Sequence, residues 1–194
     1  MSFLENNIYH VYNRSINRET LFKDADDYTR FLQMVRKQLS PICVILGWCL
    51  MPNHFHFLIH TNDFSIRQKK IGGLELQGLQ NGIRNLLSSY SKYYNFRYKR
   101  KGNLFQQKTK SKPVDSDGYQ VLCYIHQNPW KASIVSKIED WPYSSFHEFA
   151  GIRNGTLCNL ESAGKLLAIN PETFYHDSYN AVSNDTILKL DLNF

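Results

Sequence analysis

The period of the apolar positions changes several times along the chain, and each change marks an element. Ile8-Tyr9-His10-Val11-Tyr12 is a run of β-branched and aromatic residues that stops at the polar turn Asn13-Arg14-Ser15, which predicts a short strand. From Asp24 to Gln38 the spacing becomes helical, with Tyr28, Phe31, Leu32, Val35 and Leu39 on one face. Asp24 is placed to cap, and Asp26 and Asp27 lie in the first turn. Ser40-Pro41 stops that helix. Ile42 to Met51 is strongly β-like, Pro52-Asn53 is turn chemistry and His54 to His60 is a second strand, so the two predict a hairpin. The expected order is strand, helix, strand, strand.

The pattern then loosens. Asn62 to Gly82 holds Gly72, Gly73, Gly78 and Gly82, which predicts a flexible connection or an interrupted helix. Ile83, Leu86, Leu87, Tyr90 and Tyr94 restore a helical stripe over Ile83 to Phe96, and Gln107 to Val114 reads as a strand. Asp115 or Asp117 is then expected to cap a helix running through Tyr119, Leu122, Cys123 and Ile125 until Pro129 ends it. After Trp141-Pro142-Tyr143 the signal weakens. Residues 1–152 read as one unit, and 153–194 as a small appendage with a helix near Leu160 to Leu167.

Composition adds a partner class. The 194 residues are 42% hydrophobic and 14% aromatic, which requires a packed domain. The net charge of +6 divides into +8 for residues 1–152 and −2 for 153–194, a basic body that suits a polyanion. Its densest part runs from Arg84 to Lys112 and contains no Asp or Glu: Arg84, Lys92, Arg97, Lys99, Arg100, Lys101, Lys108, Lys110 and Lys112 alternate with Tyr90, Tyr93, Tyr94, Phe96, Tyr98 and Phe105. Cations neutralise phosphates and aromatic faces stack on unpaired bases, so the mixture points to single-stranded or hairpin nucleic acid; it also fits a solvated helix face over core aromatics. The apolar run Ile42 to Met51 is about half of the roughly 20 residues a membrane helix needs, so no membrane span is expected. Cys43, Cys49, Cys123 and Cys158 form no Cys-x-x-Cys pair, and no secretory pattern opens the chain; the cytoplasm is the expected location.

Two motifs carry candidate chemistry. In Met51-Pro52-Asn53-His54-Phe55-His56, strand geometry puts His54 and His56 on one side and Phe55 and Phe57 on the other. Two imidazoles on one face suit a divalent ion that must also bind substrate, although a lone His-x-His fits ordinary strand histidines as well. His60 shares their parity but lies about 13 Å from His56 by strand rise. In Tyr124-Ile125-His126-Gln127-Asn128-Pro129, Tyr124 and Asn128 lie on one helical face, and a tyrosine can act as a covalent nucleophile or simply as a core aromatic. Tyr119 sits five positions earlier on the same helix, turned well away from Tyr124.

Together these motifs resemble the single-tyrosine HUH-endonuclease transposases, in particular the REP-associated tyrosine transposase branch. The resemblance runs through Tyr9-His10-Val11-Tyr12-Asn13-Arg14, Met51-Pro52-Asn53-His54-Phe55-His56, Gly102-Asn103-Leu104-Phe105-Gln106, Tyr124-Ile125-His126-Gln127-Asn128-Pro129 and Trp141-Pro142-Tyr143-Ser144-Ser145. It implies an α+β, ferredoxin-like sandwich with a central antiparallel sheet and helices on its face. It also implies Mg²⁺ or Mn²⁺ held by His54, His56 and Asn128, with Tyr124 attacking a phosphate to give a 5′-phosphotyrosine. Asn128 stands where the wider family often has Gln. The implied partner is single-stranded or hairpin DNA, and both a homodimer and a monomer occur among such enzymes. Two other readings remain at this point. One is a domesticated relative that binds structured nucleic acid without cutting it. The other is a structural zinc site using Cys43, Cys49, His54 and His56, against which the strand span of about 20 Å between the two cysteines already argues.

Overall fold

The computed structural model describes residues 2–180 and 182. Its elements are β1 (Ile8–Arg14), α1 (Ala25–Gln38), β2 (Cys43–Met51), β3 (His54–Thr61), α2 (Asp63–Ile66), β4 (Gln68–Ile71), β5 (Leu74–Gln77), α3 (Gly78–Arg97), β6 (Lys110–Val114), α4 (Gly118–Lys131), α5 (Phe146–Phe149), α6 (Leu160–Leu167) and α7 (Phe174–Asp177). Four strands form one antiparallel sheet in the order β2-β3-β1-β6. With α1 between β1 and β2 and α3 between β3 and β6, this is the βαββαβ arrangement of a ferredoxin-like fold, as expected from the sequence. None of the helices among the described residues is long and apolar enough to cross a membrane.

The first sheet face is aromatic. Phe31 of α1 packs 5.3 Å from Phe55 and 4.9 Å from Tyr90 of α3, between ring centroids. Asp24 caps α1 by accepting from the Asp27 amide, as the sequence predicts. The segment between β3 and α3 corrects the expectation of a flexible connection. Asn62 and Ser65 form a reciprocal capping box on α2. Gly72 and Gly73, both at positive φ, make the two-residue turn of the β4–β5 hairpin. Gly78 and Gly82 belong to α3, which starts earlier than the apolar stripe suggests. A Cβ on Gly78 would stand 2.1 Å from the Phe64 carbonyl oxygen, so this glycine serves close packing.

Two further expectations are corrected. Asp117 precedes α4 without a side-chain capping bond, and Pro129 lies inside that helix, which continues to Lys131. Proline cannot donate to the Ile125 carbonyl, but the Asn128 side-chain amide reaches it at 3.4 Å and the Tyr124 carbonyl at 2.8 Å. Beyond α4 the chain returns to the open edge of β2. The Leu50 amide donates to the Tyr143 carbonyl and the Ser145 amide to the Trp48 carbonyl, each at 2.9 Å, and the Asn159 amide donates to the Ile45 carbonyl at 3.0 Å. Trp141 Nε1 donates to the Leu50 carbonyl at 3.0 Å. Cys158, Ala163, Leu167 and Phe174 are buried in the same core as the sheet. The expected helix near Leu160 to Leu167 is α6, and the last residues of the 153–194 segment lie outside the described residues.

Candidate active site

The second sheet face is polar, and strand register builds it. Directly opposed residues in an antiparallel sheet share a face, so pairing aligns Cys49, His56, Tyr12 and Lys110 in one row across β2, β3, β1 and β6. The neighbouring rows hold Met51, His54 and Arg14 on one side, and Gly47, Leu58, His10 and Lys112 on the other. His60 lies at the far end of β3, opposite Ile8. The apolar residues of β3 face α1 instead: Phe55 and Phe57 lie 5.3 and 6.4 Å from Phe31 between ring centroids.

Helix α4 covers the polar face. Gly47 lets it approach, since a Cβ there would stand 2.2 Å from Leu122 Cδ1. The approach seats the Tyr124 ring over the histidines, with centroids 6.0 Å from His56 and 6.3 Å from His10 in edge-to-face geometry. Asn128, one turn on, turns its amide nitrogen back to the Tyr124 and Ile125 carbonyls. Tyr119 faces elsewhere, its hydroxyl 3.4 Å from Asp177 Oδ2.

Burial sets the electrostatics. Desolvation, aided by Arg14, lowers the His54 pKa to about 4, and desolvation with the neighbouring His54 and His10 pushes that of His56 well down. His10 falls to about 3 through desolvation. The imidazoles are therefore neutral near pH 7 and carry lone pairs. The Tyr124 phenol is raised by desolvation, with Asn128 pulling the other way and Tyr12 and Cys49 adding to the rise. It is protonated in the protein alone, so a phosphate attack requires a proton acceptor or a nearby positive charge.

The hydrogen bonds orient the rings. His54 Nδ1 lies 2.6 Å from Asn53 Oδ1. An amide oxygen only accepts, so Nδ1 carries the proton and the neutral His54 ring keeps its lone pair on Nε2. The His54 and His56 centroids are 4.9 Å apart. Two neutral imidazoles at this spacing fit a divalent ion as partial ligands. No group of three or more His, Cys, Asp and Glu side chains among the described residues is arranged to hold an ion, so further ligands would be amide, water or phosphate oxygens. The zinc reading fails on geometry. Leu46 is an extra residue in β2, where the register shifts between Ile45 and Gly47; the bulge places Cys43 and Cys49 on opposite faces despite their equal parity in sequence.

The basic residues divide into four groups. Lys110 and Lys112 share the histidine face, and Lys110 Nζ lies 5.7 Å from the Tyr12 ring centroid. Arg84 and Lys108 line a separate cleft of about 580 Å³ beside α3, while Lys92, Lys99 and Lys101 are exposed. Arg97 and Arg100 correct the expectation of a uniformly open basic surface. Arg97 pairs with Asp24 at 2.8 Å and Asp27 at 2.7 Å, and Arg100 with Glu19 at 2.9 Å, so acids distant in sequence compensate their charge. Sequence reasoning gave no role to His10, Tyr12 and Asn53. The alternation His10-x-Tyr12-x-Arg14 was the available signal, because a strand flanked on both sides must bury one of its faces.

Comparison with known proteins finds similarity both in sequence and in fold. The chain is 29% identical over 105 residues to a Haemophilus influenzae protein named as a REP-associated tyrosine transposase, a match covering 51% of this chain and 56% of that protein. Its fold is similar to that of a REP-associated tyrosine transposase solved bound to a REP hairpin, with a TM-score of 0.59 and 15% identity over 82% of this chain and 94% of that one. A scan against protein-family models matches none. The resemblance seen in the motifs and the ferredoxin-like expectation are both borne out.

Proposed function

We propose that the chain is a metal-dependent single-strand DNA endonuclease and strand transferase that cleaves and rejoins hairpin-forming DNA through a 5′-phosphotyrosine on Tyr124. The observation that carries this reading is the seating of Tyr124 over His56 on the face that also bears His54, all within one chain. The reading is supported by the name of the Haemophilus influenzae relative and by the hairpin bound to the structural neighbour. His54 and His56 would hold Mg²⁺ or Mn²⁺, with Asn128 as third ligand through Oδ1, since the bonds to the helix carbonyls engage only its nitrogen. When bound, the ion supplies Lewis-acid polarisation of the scissile phosphate. Lys110 and Lys112, on the same face, hold the backbone of the DNA strand. Tyr124 Oη attacks phosphorus and loses its proton, while the departing 3′-oxygen takes one up. The phosphotyrosine keeps the ester linkage, so a 3′-hydroxyl can reverse the step and rejoin strands. His54, His56, Tyr124 and Asn128 come together within one chain, so the site needs no residue from a second copy; the reading places the enzyme in the cytoplasm, where its four buried thiols stay reduced.

The test is a panel of hairpin oligonucleotides incubated with the protein and Mn²⁺ or Mg²⁺, followed by denaturing electrophoresis. A covalent protein–DNA adduct is expected with the native chain. Tyr124→Phe should abolish the adduct while binding the same hairpins with an unchanged Kd. An adduct that survives this substitution places the nucleophile elsewhere, and binding without any adduct favours a non-cutting protein.

A further inference from the structure

His10 belongs to no motif role assigned above, yet its imidazole meets a proposed metal ligand. His10 Nε2 and His56 Nδ1 are 2.9 Å apart, and the rings lie 13° from parallel. We propose that His10 is a positioning residue for the metal site: its Nε2 accepts the Nδ1–H of His56 and holds that ring in the tautomer with its lone pair on Nε2. The inference rests on the metal reading of the proposed function.

A hydrogen bond between two imidazole nitrogens holds one proton, so the bond between the rings has two arrangements. If His10 donates, His56 accepts at Nδ1 and must carry its proton on Nε2, which removes the donor a cation needs. If His56 donates, Nε2 is a ligand. Only the second arrangement gives His56 the state that Asn53 already imposes on His54. A hydrogen bond to the distal nitrogen is the usual way a protein orients a ligating histidine. Stability does not account for the residue. His10 is fully buried, and its Nδ1 has no hydrogen-bond partner among the described residues, a cost an apolar side chain on this strand would avoid.

The test measures Mn²⁺ affinity of the whole protein by electron paramagnetic resonance of the free ion, without DNA. His10→Phe removes the acceptor but keeps a planar ring and should raise the Mn²⁺ Kd about 10–100-fold. His10→Gln places a carbonyl oxygen near the Nε2 position and should return the Kd to within a few-fold of the native value. Native-like Mn²⁺ affinity in folded His10→Phe, or no recovery in folded His10→Gln, overturns the inference and leaves the metal reading intact. A native protein that binds no Mn²⁺ overturns both. Nitrogen-15 spectra of the native protein saturated with Mg²⁺ decide the matter even if a variant fails to fold. His56 protonated at Nδ1 and His10 unprotonated at Nε2 are expected, and a proton on His56 Nε2 refutes the proposal.

Discussion

Asp27 is a fully buried carboxylate that accepts from Arg97 Nη1 at 2.7 Å, Tyr98 Oη at 2.8 Å, the Lys23 amide at 2.9 Å and Tyr93 Oη at 3.0 Å. Its donors come from α3 and the segments flanking α1 and α3, so this one side chain ties the two helices together. Asp27→Ala leaves these donors around an empty site and should cost about 3–5 kcal/mol. Thermal denaturation should show a Tm lower by roughly 10 °C. At this scale the sequence was legible where partners lie within one element. The shared face of His54 and His56, and of Tyr124 and Asn128, follows from local periodicity. Partners such as Asp27 with Arg97, or His10 with His56, are separated by tens of residues, and only the fold brings them together. Arg97 consequently read as part of an open basic surface when its charge is already compensated.

Elements were predicted well where one period persists and poorly where a single residue breaks it. β1, α1, the β2–β3 hairpin and α6 follow from their patterns. The Leu46 bulge does not, because an extra residue in a continuous apolar run leaves no polar mark, and it reverses the faces of everything after it in β2. The glycines after Asn62 signalled punctuation correctly, but a turn glycine and a packing glycine look alike without the neighbour they touch. Two such glycines separate stability from chemistry. A Cβ on Gly82 would meet Ile42 Cδ1 at 2.4 Å and the Gln38 carbonyl at 2.9 Å, on the α1–α3 side. One on Gly47 meets Leu122 beneath α4. Each alanine should destabilise by about 1–3 kcal/mol. Under folding conditions, Gly47→Ala should also slow adduct formation roughly 10–100-fold by lifting Tyr124 from the histidines, whereas Gly82→Ala should leave the rate near native. Timed adduct assays of the two variants provide the comparison.

For the molecule as a whole, the buried imidazoles set the acid limit. Burial lowers His10 and His126 to about 3 and His54 to about 4 from 6.5, and His56 well below 6.5. Above pH 6.5 these rings are neutral folded or unfolded and stability is full. As pH falls below 6.5 the unfolded chain binds protons the native state refuses, and each such ring removes about 1.4 kcal/mol per pH unit until its native pKa is reached. Against a typical stability of about 5–15 kcal/mol, a steep unfolding transition is expected near about pH 5, followed by circular dichroism. Retention of the native signal below about pH 4 would refute it. The covering of β2 has a separate consequence. A sheet edge with open amides and carbonyls is a template on which another molecule's strand can assemble. Here Tyr143 to Ser145 and Asn159 occupy the β2 edge, and the opposite edge strand, β6, is short and carries Lys110, Lys112 and Pro113. Tyr143 to Ser145 and Asn159 thus act as a stopper against aggregation, shielding a strongly β-forming hairpin from the strands of other copies.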